Sequence, residues 1–94
     1  MDWTPEGRVL KRLRMTEKVI SEPMQCMLEC NGIDSAKMAM MLSEGDIDFG
    51  RARLDPPIYE LRENADSPLS LAFEAHDEES ILIEVNGGKD CDCY

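Results

Sequence analysis

Positive charge is scarce in this chain. Its 94 residues include 20 Asp and Glu but only 10 Lys and Arg, which gives a formal net charge of −10 at pH 7. Phosphate groups are bound by clustered Lys and Arg side chains, so this balance argues against a nucleic-acid surface. The basic residues concentrate near the start, in a run that is either a solvated helix face or a patch for an acidic partner. This run consists of Arg8, Lys11, Arg12, Arg14 and Lys18.

A long apolar run is also missing. No stretch approaches the ~18 consecutive apolar residues that a membrane span requires, and no basic and then apolar leader opens the sequence. Apolar residues at 43% and charged residues at 32% are typical of a globular protein. We therefore expect one cytoplasmic domain over residues 1–94, with a basic N-terminal helix in residues 1–17 and no membrane association.

Histidine occurs only once, at His76, which limits the catalytic arrangements that can be proposed. One loop histidine does not make a Ser-His-Asp triad. The carboxylates that follow it, Asp77, Glu78 and Glu79, could contribute to a divalent cation site, but clustered acids on a turn are usually only solvated. The sequence therefore predicts no catalytic residue.

Start and stop signals predict two or three short helices. The first begins after a Thr4 cap, and the second begins after Ser21 and ends at Gly32. The third covers residues 35–44, where apolar residues recur at the spacing of one helix face, and Gly45 ends it.

After Gly45 apolar and polar residues alternate, as they do in half-buried strands. Four such segments are separated by turn sequences: DIDFGRARL, PIYELRE, LSLAFEA and SILIEV. Short connections favour an antiparallel meander. EKVIS, residues 17–21, is a weaker candidate for a short edge strand. We predict an α+β fold in which two or three short helices pack on one face of a four-stranded antiparallel sheet.

The apolar spacing also predicts the core between the two layers. The third predicted strand would contribute Leu69, Leu71 and Phe73, and the last would contribute either Ile81 and Ile83 or Leu82 and Val85. The helices would contribute Met24, Met27, Leu28, Met38, Met41 and Leu42.

The four cysteines fall into two pairs, Cys26 with Cys30 on the second predicted helix and Cys91 with Cys93 near the end of the sequence. Helical residues four apart have Cβ atoms about 5–6 Å apart, whereas a disulfide requires about 3.5–4.5 Å. In an extended tail, the Cα atoms of Cys91 and Cys93 would be about 7 Å apart. Neither pair is therefore expected to close a disulfide on itself.

Three arrangements of the thiols remain, namely free thiols, two cross-links from helix to tail, or a shared metal. A cytoplasmic location disfavours disulfides. Four converging thiolates would make a tetrahedral sulfur site, which suits zinc first and an iron–sulfur cluster second. We adopt the metal interpretation, with Cys26, Cys30, Cys91 and Cys93 as the ligands.

The order of motifs is similar to that of a bacterial family known as domain of unknown function 4258, which is related to the BrnT toxin group. The resemblance covers about residues 18–93, through "CMLECNGID", "LSEGDIDFGRA", "PPIYELRE", "LSLAFEA", "SILIEV" and "CDC". It implies a RelE- or BrnT-like toxin fold. It also implies that the two helical cysteines and the two tail cysteines belong to one site. The positions that match the family are Cys26, Cys30, Gly45, Ile47, Pro57, Tyr59, Cys91 and Cys93.

The chain departs from that family where a ribonuclease would need its chemistry. The family has His before the first helical cysteine and Arg after it, and this chain has Pro23 and Met27 there. Ser70 replaces a basic residue of the third strand. Cleavage of RNA needs a cationic or proton-transferring group at the phosphate. We therefore predict a non-enzymatic domain with a metal cluster; the alternatives are a ribonuclease toxin or its inactive relative, and an acidic module that binds an unidentified protein.

Overall fold

The structure, a computed structural model, describes residues 5–54, 57–64, 66–88 and 91–93. These residues form three helices and five strands. In that part of the chain, no helix has the length and apolar content needed to cross a membrane. The elements are α1 Pro5–Met15, β1 Glu17–Val19, α2 Glu22–Cys30, α3 Ser35–Glu44, β2 Asp46–Leu54, β3 Pro57–Arg62, β4 Ser70–Ala75 and β5 Glu79–Asn86.

The sheet confirms the α+β class and corrects its strand count. Strands β2 to β5 form the predicted antiparallel meander, and β1 adds a fifth strand parallel to β5, so the strand order is β1-β5-β4-β3-β2. The sheet is therefore mixed, and the prediction of four antiparallel strands was incomplete. Three residues are too few for an alternating pattern to be recognised, which is why β1 had only a weak signal.

A buried hydroxyl pair attaches β1 to the sheet. Thr16 Oγ1 lies 2.6 Å from Ser80 Oγ, and Ser80 is 0% exposed. The same Thr16 hydroxyl donates to backbone carbonyls in the last turn of α1, at 3.0 Å from Arg12 O and 3.2 Å from Leu13 O. A hydroxyl has one proton to donate, so the Thr16 proton is shared among these contacts, and either Thr16 or Ser80 can be the donor within the pair. This contact fixes the end of α1 against β5.

All three helices pack on one face of the sheet. Side chains alternate between faces along a strand, so Leu71, Phe73 and Ala75 of β4 point to the same side, and all three belong to the buried core. Most predicted core residues are buried as expected, while Met27, Met38, Leu69 and Val85 lie half-buried at its margin. The helices contribute Leu10, Leu13, Met24, Leu28, Met41 and Leu42 to this core.

A register shift decides which residues of β5 face the helices. Ala72 pairs with Glu84 but Phe73 pairs with Leu82, so Ile83 is an extra residue in β5. This bulge places Leu82 and Val85 on the core side although they are three residues apart. Of the two predicted sets for this strand, Leu82 and Val85 is therefore the correct one.

The hydroxyl pair generates a stability prediction. In Thr16→Val the buried Ser80 hydroxyl loses its hydrogen-bond partner in this pair, and an unsatisfied buried polar group costs about 1–3 kcal/mol. We expect the urea midpoint to fall by a corresponding amount with an unchanged slope. Thr16→Ser keeps the hydroxyl and is the matched control, expected near the parent. Equal stability of Thr16→Val and the parent would contradict this role for the pair.

Candidate functional site

Helix α2 is fixed at both ends by its own sequence. At its start the Ser21 hydroxyl accepts a hydrogen bond from the first turn. At its end Gly32 has φ of 74°, a conformation that favours glycine. Gly32 N–H donates to Glu29 O at 3.0 Å and Ile33 N–H donates to Leu28 O at 2.8 Å. This pair of hydrogen bonds is the Schellman motif, and it determines where the helix ends.

The two sides of α2 have different roles. Met24 and Leu28 are buried in the core, at 6% and 3% exposure. Cys26 and Cys30 point away from that stripe, and Cys26 is exposed while Cys30 is half-buried. Both cysteines are therefore available to a segment that lies along the outside of the helix.

That segment is the tail, residues 91–93, which is joined to α2 by two disulfides. Cys26 is bonded to Cys93 and Cys30 to Cys91, with Cα–Cα distances of 5.8 and 6.4 Å. The tail thus runs antiparallel to the helix. Four helical residues advance about 6 Å along the axis. Cys93 N–H donates to Cys91 O at 3.0 Å, so the tail makes a γ-turn at Asp92 and is shorter than an extended chain, in which two residues cover about 6.6 Å. The Cys-x-Cys spacing therefore matches one turn of the Cys-x-x-x-Cys helix.

The prediction of a metal cluster is wrong. The two cysteine pairs do meet, as the metal interpretation expected, but they meet as disulfides, and a metal ligand must be a thiolate. None of the described cysteines is free. The described residues also contain no group of three or more His, Cys, Asp or Glu side chains placed to hold a metal. Zinc and iron–sulfur cofactors at Cys26, Cys30, Cys91 and Cys93 are therefore corrected to two structural cross-links.

Asn31 lies between the end of α2 and the tail, and sequence reasoning missed it. Its side-chain Nδ2 donates to Met27 O at 2.8 Å and lies 3.8 Å from Cys91 Sγ. A Cβ atom at Gly88 would overlap its amide oxygen. The only sequence signal at Asn31 was its position between Cys30 and the glycine that ends the helix. That position predicts a helix cap, but it does not predict a contact with a distant segment.

His76 lies where the sequence placed it, in the turn between β4 and β5, but its partner comes from the strand before it. Its Nε2 is 2.9 Å from Glu74 Oε1. Within the described part of the chain this turn does not form a metal site. The cation site considered for Asp77, Glu78 and Glu79 therefore has no geometric support.

The other flank of α2 borders an open depression of about 290 Å³, which we call the α2–α3 groove. Its floor is apolar and buried, formed by Leu28, Ile33 and Leu42. The sequence did not predict it because its lining comes from β1, the β1–α2 link, α2, the α2–α3 link and α3 together. The remaining lining residues are Lys18, Ile20, Gln25, Asp34, Ser35, Met38 and Ala39.

Two cations lie at one end of this groove. Lys18 Nζ donates to Arg14 O and Thr16 O at 2.6 Å each, and Arg14 Nη1 donates to Leu42 O at 3.4 Å. Burial, and then the nearby Arg14 charge, lower the pKa of the Lys18 ammonium. Among the ion pairs of the described residues, none includes either cation. The cationic end of the groove therefore forms no ion pair with a carboxylate in the part of the chain that the structure describes.

Comparisons of this chain with protein-family models, with curated proteins and with solved structures find no match. The resemblance described above therefore stays a prediction.

The nested arrangement of the disulfides makes their energetic contributions unequal. Either bond alone closes a loop of more than sixty residues, as the separations of 61 and 67 show, and such a closure stabilises by about 4 kcal/mol. Once one bond is present, the other closes only a short ring, which contributes about 2 kcal/mol.

We therefore expect the first disulfide removed to cost about 2 kcal/mol and the second about 4 kcal/mol, whichever is removed first. The variants are Cys26→Ser with Cys93→Ser, Cys30→Ser with Cys91→Ser, and all four together. Urea denaturation gives the three free energies of unfolding. If the losses of unfolding free energy in the two double variants sum to the loss in the quadruple variant, the two bonds do not share a loop.

Proposed function

We propose that this chain is a non-enzymatic binding domain of an oxidising compartment, in which the disulfides hold α2 as one wall of the α2–α3 groove. One observation carries this proposal. Helix α2 supplies Cys26 and Cys30 to the tail on its outer side and Leu28 to the groove floor on its inner side. A site whose supporting elements are locked is organised before its ligand arrives.

The disulfides favour a compartment other than the predicted cytoplasm. Protein disulfides form and persist in secreted and periplasmic proteins and are rare in the cytosol. Both bonds lie at the surface, with Cys26 exposed and the other three cysteines half-buried. Cytosolic reductants would have access to them. An exported location is therefore part of the proposal.

An inactive relative of the RelE- or BrnT-like toxins fits this proposal. The meander with helices on one face supports such a fold. On the opposite face, the register aligns Asp48, Glu60, Ala72 and Glu84 across four strands. Ser70, at the family's basic position, is buried and donates to Glu60 Oε1 at 3.0 Å. Carboxylates in this place repel a phosphate, so RNA cleavage is not supported.

We accordingly expect no cleavage of RNA. Incubating the disulfide-intact protein with a structured RNA should leave the RNA intact on a denaturing gel, while a basic ribonuclease digests it. If cleavage is seen, Glu60→Gln separates an activity of this face from contamination, since only an activity of this chain would change. A rate altered by that substitution would contradict the non-enzymatic proposal.

The compartment is tested by producing the protein with and without export from a bacterial cell. Acid quenching followed by thiol alkylation should label no cysteine in the exported protein and all four in the cytoplasmic protein. The reduced form should be digested faster by protease, since loss of both loop closures destabilises it.

The variant with all four cysteines changed to Ser is the matched control, and its protease resistance should not depend on the compartment. A reduced cytoplasmic protein as resistant as the exported one would show that the disulfides do not hold the fold. That result would remove the basis of the proposal.

A further inference from the structure

We propose that the α2–α3 groove binds the free C-terminal segment of a partner protein, with its carboxylate between Lys18 and Arg14 and its apolar side chains on the groove floor. This inference rests on the proposed binding function and names the chemistry of the ligand. It is carried by the shape of the groove, by the cations at one end and by the sheet edge beside it.

The groove has the length and the apolar surface for a few extended residues. It follows α3 from Asp34 to Leu42, and eight residues of helix advance about 12 Å. An extended peptide advances about 3.3 Å per residue, so about four residues fit. Leu28, Ile33 and Leu42 are 3%, 3% and 4% exposed and form a continuous apolar floor. The groove is open on its outer side, as a peptide that keeps one face in water requires.

The cationic end is prepared for a carboxylate. Lys18 and Arg14 are held by backbone carbonyls near the ends of α1 and α3, so their positions are set without a ligand. An ammonium has three donors, and the two bonds of Lys18 leave one. These cations lack a carboxylate partner among the described residues, although the chain carries a net charge of −10. The charge that complements this end is therefore an incoming anion.

The opposite end of the groove sets the direction of the peptide. Asp34 lies there as the N-cap of α3, and its Oδ1 accepts from Lys37 N–H at 2.8 Å. A carboxylate would be repelled at this end and attracted at the Lys18 end. The peptide terminus therefore lies at Lys18, with the preceding residues running toward Asp34.

The edge of the sheet favours a peptide over a fatty acid. Strand β1 pairs with β5 on one side and is an edge strand on the other. Glu17 N–H donates to Glu78 O, which is toward β5, so the backbone groups of the next residue, Lys18, point away from the sheet. These groups can bond to the backbone of an added strand. A hydrocarbon chain cannot form hydrogen bonds with these backbone groups.

The test is an NMR titration of the full, disulfide-intact chain. The probe is a pool of acetylated tetrapeptides built from Ala, Val, Ile, Leu and Phe, offered as free acids and as C-terminal amides. We expect methyl shifts at Leu28, Met38 and Leu42, and apparent binding about tenfold tighter for the acids than for the amides, as a charge-assisted hydrogen bond provides. Decanoate is titrated in parallel.

Lys18→Met keeps the apolar stem and removes the charge, so it should abolish the preference for the acids. Lys37→Met is the matched control because Lys37 lies on α3 outside the groove lining and pairs with Glu63, 3.4 Å away. The preference of this variant for the acids should be unchanged. Arg14→Gln tests the same preference if Lys18→Met proves unstable by thermal melting.

Equal binding of acids and amides, or binding of neither pool, would overturn the inference, as would methyl shifts produced by decanoate alone. If the peptides fail while the exported protein remains oxidised and more protease-resistant than its reduced form, the error lies in the ligand and not in the disulfide-held domain. Failure of both experiments removes the proposed function as well.

Discussion

The structure depends on a match of lengths between one turn of helix and two residues of tail. Cys26 and Cys30 are separated by one turn of α2, and Cys91 and Cys93 cover a similar distance across the γ-turn at Asp92. Two disulfides can therefore form side by side without unwinding the helix. The other flank of α2 meets the core and the groove. Residues 91–93 therefore restrain one wall of the groove without lining it themselves.

This restraint matters because the domain is small and strongly acidic. A chain of 94 residues buries a limited core, and a net charge of −10 opposes compaction through self-repulsion. Closing a loop of more than sixty residues restricts the unfolded chain and leaves the surface charge unchanged. The fold can therefore keep carboxylates such as Glu60 and Glu84 on the sheet face opposite the helices.

Sequence patterns predicted the meander, the helix ends and most of the core, because periodicity and capping are local signals. Ser21, Gly32 and Gly45 each mark a boundary that the structure keeps. The parallel strand β1 had no comparable signal, because its partner β5 is about sixty residues away. Spacing indicated that Cys26 and Cys30 would not bond each other, but it could not separate free thiols, metal ligands and cross-links, and the cytoplasmic assumption disfavoured the correct choice. The groove lies between distant elements, so no short pattern encodes it.

The antiparallel direction of the tail also governs oxidative folding. Four cysteines allow three pairings. Joining Cys26 to Cys30 would require unwinding α2, and exchanging the partners would require the tail to reverse its direction. Only the native pairing accommodates an intact helix with the tail in its observed orientation. Scrambled isomers would therefore retain a disrupted helix or a misdirected tail.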